Sequence, residues 1–126
     1  MPDAHPKLGK PSKRWPYRDV SGALLCEVWR FDLAGGKEFR PLSLRRISGR
    51  LEWRWGGVDG LRPLYGLDRL AANPGALVVI CEGEKAVDAA AGIFPNSACM
   101  TSLNGSQSAR KSDWAPLTGR KIGPLA

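Results

Sequence analysis

Two carboxylates and a lysine follow directly after a run of apolar residues. The segment "ALVVICEGEK" (76–85) passes from buried-strand residue types into Glu82, Gly83, Glu84 and Lys85. Continuous apolar runs are typical of parallel strands buried on both faces, and α/β proteins bind their ligands at the carboxyl ends of such strands. Glu82 and Glu84 could ligate Mg²⁺, because that ion prefers hard oxygen ligands. The pattern therefore makes residues 82–85 a candidate metal and phosphate site.

The stretch after this turn, "EKAVDAAAGIF" (84–94), has the composition of a helix. Backbone amides at its start, together with Lys85, would favour a phosphate group, and Gly83 would let the backbone turn sharply. A second interpretation stays open. Glu84 is also a favourable first-turn helix acid, Glu82 a solvent-exposed strand end, and Lys85 a solvated helix lysine.

The rest of the second half predicts the beginning of a doubly wound α/β unit. A second strand is predicted in "SACMTSL" (97–103) and a third begins at 120–122. Asn104-Gly105-Ser106 lies between them, at the same predicted edge as residue 82, and is either a ligand-approaching loop or a plain turn. Arg110 and Lys111, in the connection that follows, could bind a phosphate backbone.

The first half has a different rhythm, typical of antiparallel strands. Residues 15–57 form short alternating runs separated by turn residues at 19–22 and 35–36, which predicts a small meander. Trp53 and Trp55 alternate with charged residues, so the pattern favours a place in the core over base stacking. Trp15 and Trp29 are open to both interpretations, because nearby arginines could accompany stacked bases.

Charge is unevenly distributed along the chain, whose formal net charge is +7. Residues 1–63 contain 13 Lys and Arg against 7 Asp and Glu, whereas residues 64–126 contain 6 against 5. A basic first half suggests an anionic polymer as partner, although a solubilising surface is the alternative. Arg45, Arg46 and Arg50 lie in a predicted loop and are the favoured nucleic-acid contacts of this half.

Several protein classes are disfavoured. No apolar run reaches the roughly 18–20 residues that would cross a bilayer, and the first residues lack the apolar core of a secretion signal, so we expect a cytosolic protein. Cys26, Cys81 and Cys99 are widely spaced and His5 is the only histidine. This spacing disfavours a zinc site and predicts reduced, buried thiols.

Three segments in combination resemble a known family. They are "RPLYGLDRL" (62–70), "VVICEGEKAVDAAA" (78–91) and "TSLNGSQSARKSDWAPLTGRKI" (101–122). Together they resemble the Toprim-containing DNA primases of phages, plasmids and other mobile elements, and the resemblance extends over residues 15–122. It implies an α+β fold, in which a small antiparallel β subdomain precedes an incomplete Toprim-like, Rossmann-like parallel-sheet domain.

The resemblance also implies a chemistry. Glu82 would be the catalytic strand-end glutamate of metal-dependent nucleotidyl transfer, with Mg²⁺ held jointly by an Asp-x-Asp pair at the end of a later strand. The implied partners are single-stranded DNA or a primer-template, and a helicase or ATPase region or partner. The chain departs from the family pattern because no Asp or Glu follows Asp113. We therefore expect a fragment that is inactive by itself.

Four regions are expected: a basic disordered tail (1–14), the β-rich subdomain (15–62), a connecting helix and linker (63–75), and a partial Toprim domain (76–126). Two alternatives to the primase-like function remain. One is a non-catalytic basic module that binds single-stranded nucleic acid. The other is a nucleotide-binding regulator that uses only Gly83–Lys85.

Overall fold

The computed structural model describes residues 1–57, 62–102 and 113–123, which form two four-stranded sheets and two α-helices. The strands are β1 (Lys13–Arg18), β2 (Leu24–Leu33), β3 (Gly36–Ile47), β4 (Arg50–Trp55), β5 (Leu64–Tyr65), β6 (Val78–Ile80), β7 (Ala98–Ser102) and β8 (Ile122–Gly123). The helices are α1 (Leu67–Ala72) and α2 (Glu84–Ile93), and Ala115–Leu117 forms a 3₁₀ turn.

The first sheet is the predicted antiparallel meander, with strand order β1-β2-β3-β4. Its first turn is closed by Asp19, whose carboxylate accepts hydrogen bonds from the backbone N–H groups of Ser21 and Ala23 at 2.9 and 3.0 Å. Such side-chain-to-backbone bonds explain why aspartate is frequent in turns. Gly36, at the second turn, has a φ of 132°, which a residue with a Cβ rarely adopts.

The second sheet is mixed, with strand order β5-β7-β6-β8. β6 pairs in parallel with both β7 and β8, whereas β5 pairs antiparallel with β7. Helix α2 connects β6 to β7, and the chain later returns to the other side of β6. The overall class is α+β, as the sequence predicts, and the short second sheet combines parallel and antiparallel pairs.

The connecting segment differs from its prediction. Leu64, expected in a helix, lies in β5 and pairs with Ser102, so the second sheet includes part of the predicted linker. Helix α1 begins only at Leu67, after Gly66 with a φ of 104°. Helical spacing of leucines favoured a helix from Pro63 onward, but the apolar side chains at 64 and 65 are buried in the sheet instead.

The N-terminal segment also differs from the predicted disordered tail. The His5 ring packs against Trp55, with ring centroids 4.5 Å apart, and against Phe31. The His5 Nδ1 atom accepts hydrogen bonds from the backbone N–H groups of Lys7 and Leu8. Leu8 packs on the cluster of Trp29, Phe31 and Leu42. The segment thus covers apolar side chains that the meander would otherwise expose.

The two sheets share one apolar core. Trp15 and Tyr17 of β1 pack with Val79 of β6, Val87 of α2 and Cys99 of β7. The opposite face of the second sheet is covered by α1 and the 3₁₀ turn. The three cysteines are buried and free, as predicted, and burial raises the pKa of the Cys26 thiol to about 12. The longest described helix has ten residues, and none is long and apolar enough to cross a membrane.

Candidate functional site

The candidate site lies at the carboxyl end of β6. Strand β6 lies between two parallel neighbours, so the strand order reverses there, and in open α/β sheets ligands bind at such reversal points. The Cys81 N–H donates to the Met100 carbonyl at 2.8 Å and prolongs the strand pairing by one residue. Glu82 comes next and is exposed to solvent, as is Lys85, the second residue of α2. These two side chains are therefore accessible to a ligand.

Gly83 precedes α2 in an extended conformation, with φ −167° and ψ 175°. Any residue adopts this conformation, and a Cβ atom at Gly83 would meet no atom within 4 Å. The sequence predicted that Gly83 lets the backbone turn sharply, but the observed conformation does not require glycine. A residue with a Cβ atom could therefore stand at this position without a steric clash.

Glu84 is the site residue whose surroundings differ most from expectation. It is buried, and the Tyr17 hydroxyl donates a hydrogen bond of 2.8 Å to its Oε2 atom. Burial raises the pKa of Glu84, opposed by hydrogen bonds from its own backbone N–H and from Tyr17. Burial beside this carboxylate in turn raises the pKa of Tyr17 well above its usual value. Glu84 therefore faces β1 and the core, and joins the two sheets.

Asp88, one turn further along α2, also joins the two sheets through hydrogen bonds. It accepts hydrogen bonds from Trp15 Nε1 at 3.1 Å and from the Tyr65 hydroxyl at 2.8 Å. The Arg69 guanidinium lies 3.7 Å from the same carboxylate. Glu84 and Asp88 are four residues apart, so they share one face of the helix. Sequence reasoning missed this pair, although two acids at that spacing in an alanine-rich helix were a visible signal.

The described residues do not form a complete magnesium site. Of the two predicted ligands, the Glu82 carboxylate is exposed and the Glu84 carboxylate is occupied by Tyr17. Among residues 1–57, 62–102 and 113–123, no group of three or more His, Cys, Asp or Glu side chains could hold a metal ion. One carboxylate holds Mg²⁺ weakly, so no catalytic step can be derived through the metal here.

The predicted nucleic-acid contacts of the first half lie on the β3–β4 hairpin instead of in a loop. Arg45 is half-buried and donates a hydrogen bond to the Gly57 carbonyl. Arg46 and Arg50 are exposed on either side of the tight turn at Ser48. The hairpin therefore presents Arg46 and Arg50 to solvent, far along the chain from Glu82.

Arg110, Lys111 and the loop 104–106 lie outside the described residues. Their predicted contacts with phosphate therefore remain predictions.

The tryptophans of the meander belong to the core, as the pattern at Trp53 and Trp55 favours. Trp15 and Trp29 are buried, and Trp53 and Trp55 are half-buried against the Trp29 cluster. The Trp29 Nε1 atom donates to Glu27 at 2.7 Å, and that carboxylate also accepts a bond from Arg14. Base stacking on Trp15 or Trp29 would need them to leave these positions.

Replacing Glu84 with glutamine is expected to change how stability depends on pH. The pKa of Glu84 is raised in the folded chain above its ordinary 4.5, so the folded state keeps the proton to higher pH than the unfolded state. Wild-type stability from this group is complete below about pH 4.5 and is lost as the pH rises through the folded pKa. Urea unfolding of Glu84→Gln should therefore show stability relative to wild type increasing as the pH rises from acid to neutral.

The Glu82→Gln variant is the matched control, because it removes an exposed carboxylate from the same turn. A difference between Glu84→Gln and wild type that stays constant with pH would contradict the burial of a titrating carboxylate.

Comparison with family models, with curated proteins and with solved structures finds no match.

Proposed function

We propose that this chain is a Toprim primase-like module of DNA replication in a mobile element, which binds single-stranded DNA and carries one glutamate of a nucleotidyl-transfer site. Glu82 is the catalytic residue of the proposal, and Lys85 and the amides after Gly83 are its phosphate contacts. A single observation carries the proposal. An exposed glutamate follows an inner strand of a partly parallel sheet, two residues before a helix, where the strand order reverses.

Charge and access also support the proposal. The first half carries the excess of positive charge that a nucleic-acid partner requires. Lys85 lies three residues from Glu82, and both side chains are exposed. A phosphate beside Glu82 would thus meet one cation and the positive end of a ten-residue helix.

Catalysis by these 126 residues alone is not part of the proposal. Nucleotidyl transfer with Mg²⁺ needs several carboxylates that converge on the metal, and the described residues provide Glu82 without such a group. In the proposal Mg²⁺ would supply charge neutralisation at the phosphates once further ligands were present. A helicase or ATPase region would then be a partner of the module.

The second candidate function is a non-catalytic module that binds single-stranded nucleic acid. The burial of Glu84 favours this candidate, because it removes one of the two carboxylates from the site. In this case the second sheet would serve as a scaffold for the basic meander.

Glu82→Gln is expected to leave binding of single-stranded DNA within about twofold of wild type, because binding depends on phosphate contacts with cations. Fluorescence anisotropy with a labelled oligonucleotide, with and without Mg²⁺, measures this. A primer-synthesis assay with template, nucleotides and Mg²⁺ is its companion, and we expect no product. Product that disappears in Glu82→Gln would show a working metal site and contradict this account. Absence of any binding to single-stranded DNA would reject the proposed function.

A further inference from the structure

A cleft of about 380 Å³ separates the outer end of the meander from helix α2. Its charged and aromatic lining consists of Lys13, Arg30 and Asp32 from the meander strands, Trp15 beneath them, and Lys85 and Asp88 from α2. This volume is within the range of about 300–1,000 Å³ that small-ligand pockets occupy. The cleft can therefore receive something of the size of a nucleotide unit, and one wall of it carries Lys85 of the candidate site.

The balance of charge in the cleft is positive. Asp32 is engaged by Arg30, with an N–O distance of 3.0 Å, and Asp88 is engaged by Trp15, Tyr65 and Arg69. Neither Lys13 nor Lys85 forms an ion pair with an acid among the described residues, and both are exposed. Lys13 of β1 and Lys85 of α2 thus line the same cleft, and neither is paired with a carboxylate among the described residues.

An exposed aromatic ring, that of Phe39, lies beside two residues of the cleft, Arg30 and Trp15. Phe39 pairs with Arg30 across β2 and β3, and its ring stacks with Trp15 at an interplanar angle of 28° and a centroid distance of 6.2 Å. Phe39 is nevertheless 45% exposed, so Trp15 supports the ring while much of it stays open to solvent. A supported aromatic ring beside a positive groove is the arrangement by which proteins hold unpaired bases.

We infer that this cleft is the single-stranded DNA site of the chain, with one base stacked on Phe39 and the neighbouring phosphates on Lys13 and Lys85. The inference rests on the proposed function and gives the location of its binding surface. Unpaired strands fit because their bases are free to stack, whereas the bases of a duplex are already stacked on one another. The path would lead from the outer end of the meander along α2 to Glu82.

The cleft is a different location for DNA binding from the arginines at 45, 46 and 50 that the sequence favours. Arg46 and Arg50 are exposed on the β3–β4 hairpin, but they do not line the cleft. The two surfaces make opposite predictions for matched pairs of substitutions, each of which removes two positive charges.

The experiment compares Lys13→Gln/Lys85→Gln with Arg46→Gln/Arg50→Gln by anisotropy of a labelled single-stranded oligonucleotide across a range of salt. The cleft pair should weaken binding about tenfold or more near about 0.1 M salt, and reduce the slope of log K against log salt by about 1.4. The hairpin pair should bind within about twofold of wild type. Phe39→Ala should weaken binding about tenfold, whereas Phe94→Ala, with a similarly exposed ring at the far end of α2, should not.

The outcomes separate the two proposals. Failure of the wild-type chain to bind would overturn both the function and the cleft. Wild-type binding that survives the Lys13 and Lys85 substitutions, or that the hairpin pair weakens more, would overturn the cleft alone. All four substituted side chains are exposed to solvent, so neither pair of substitutions should disturb the fold. The circular dichroism spectrum of each variant should therefore match that of wild type.

Discussion

Replacing Tyr17 with alanine is expected to lower the free energy of unfolding by about 3 to 5 kcal/mol. Tyr17 is fully buried between the two sheets, where its ring lies 5.1 Å from that of Tyr65. Truncating a buried aromatic side chain removes its contacts and leaves a cavity. The loss is a large part of the roughly 5–15 kcal/mol that stabilises a typical domain. Chemical denaturation followed by tryptophan fluorescence measures it.

Tyr17→Phe separates the hydrogen bond from the packing. The ring stays, but the buried Glu84 carboxylate loses its 2.8 Å donor, which is expected to cost about 1.5 to 3 kcal/mol at neutral pH. The cost should shrink in acid, where Glu84 is protonated, and it should be smaller when Glu84 is already glutamine. Equal stability of Tyr17→Phe and wild type at neutral pH would contradict a hydrogen bond that joins the sheets through these two residues.

Gly66→Ala is expected to lower the free energy of unfolding by about 3 kcal/mol or more. Gly66 has a φ of 104°, a conformation that costs other residues about 1–3 kcal/mol. A Cβ atom there would also lie 2.6 Å from the Cys99 carbonyl oxygen. That oxygen belongs to β7, which is held between β5 and β6, so the backbone cannot move aside without disturbing the sheet. Thermal and urea unfolding of the variant measure the loss.

Two other glycines serve as controls for Gly66. Gly22 has a φ of 90° with open space around it, so Gly22→Ala should show the backbone strain without the clash, at about 1–2 kcal/mol. Gly92 lies in α2 with neither feature, and Gly92→Ala should stabilise the helix by about 0.5–1 kcal/mol. A loss of unfolding free energy for Gly66→Ala no larger than that for Gly22→Ala would contradict the close approach of Gly66 to β7.

Much of the fold could be predicted from local patterns. The meander follows from alternation and turn residues, and the strand before Glu82 from its continuous apolar run, because both signals depend on neighbours in sequence. The short strand at Leu64 could not be predicted in this way. Two apolar residues do not distinguish a strand from the start of a helix, and their partner Ser102 is 38 positions from Leu64 along the chain.

The candidate site could be predicted only in part, for the same reason. The exposed position of Glu82 follows from its place at a strand end. The burial of Glu84 depends on Tyr17, which is 67 residues earlier in the chain, and only the packing of the two sheets brings them together. The cleft likewise combines residues from β1, β2 and α2, and no single segment shows it.

The most direct test of the account is a salt titration of wild-type chain with labelled single-stranded and double-stranded oligonucleotides. We predict tighter binding of the single strand and a slope of log K against log salt of about −1.4 or steeper, since Lys13 and Lys85 of the cleft each contact a phosphate and each such contact contributes about −0.7. No binding of the single strand, or binding that does not change with salt, would contradict the account.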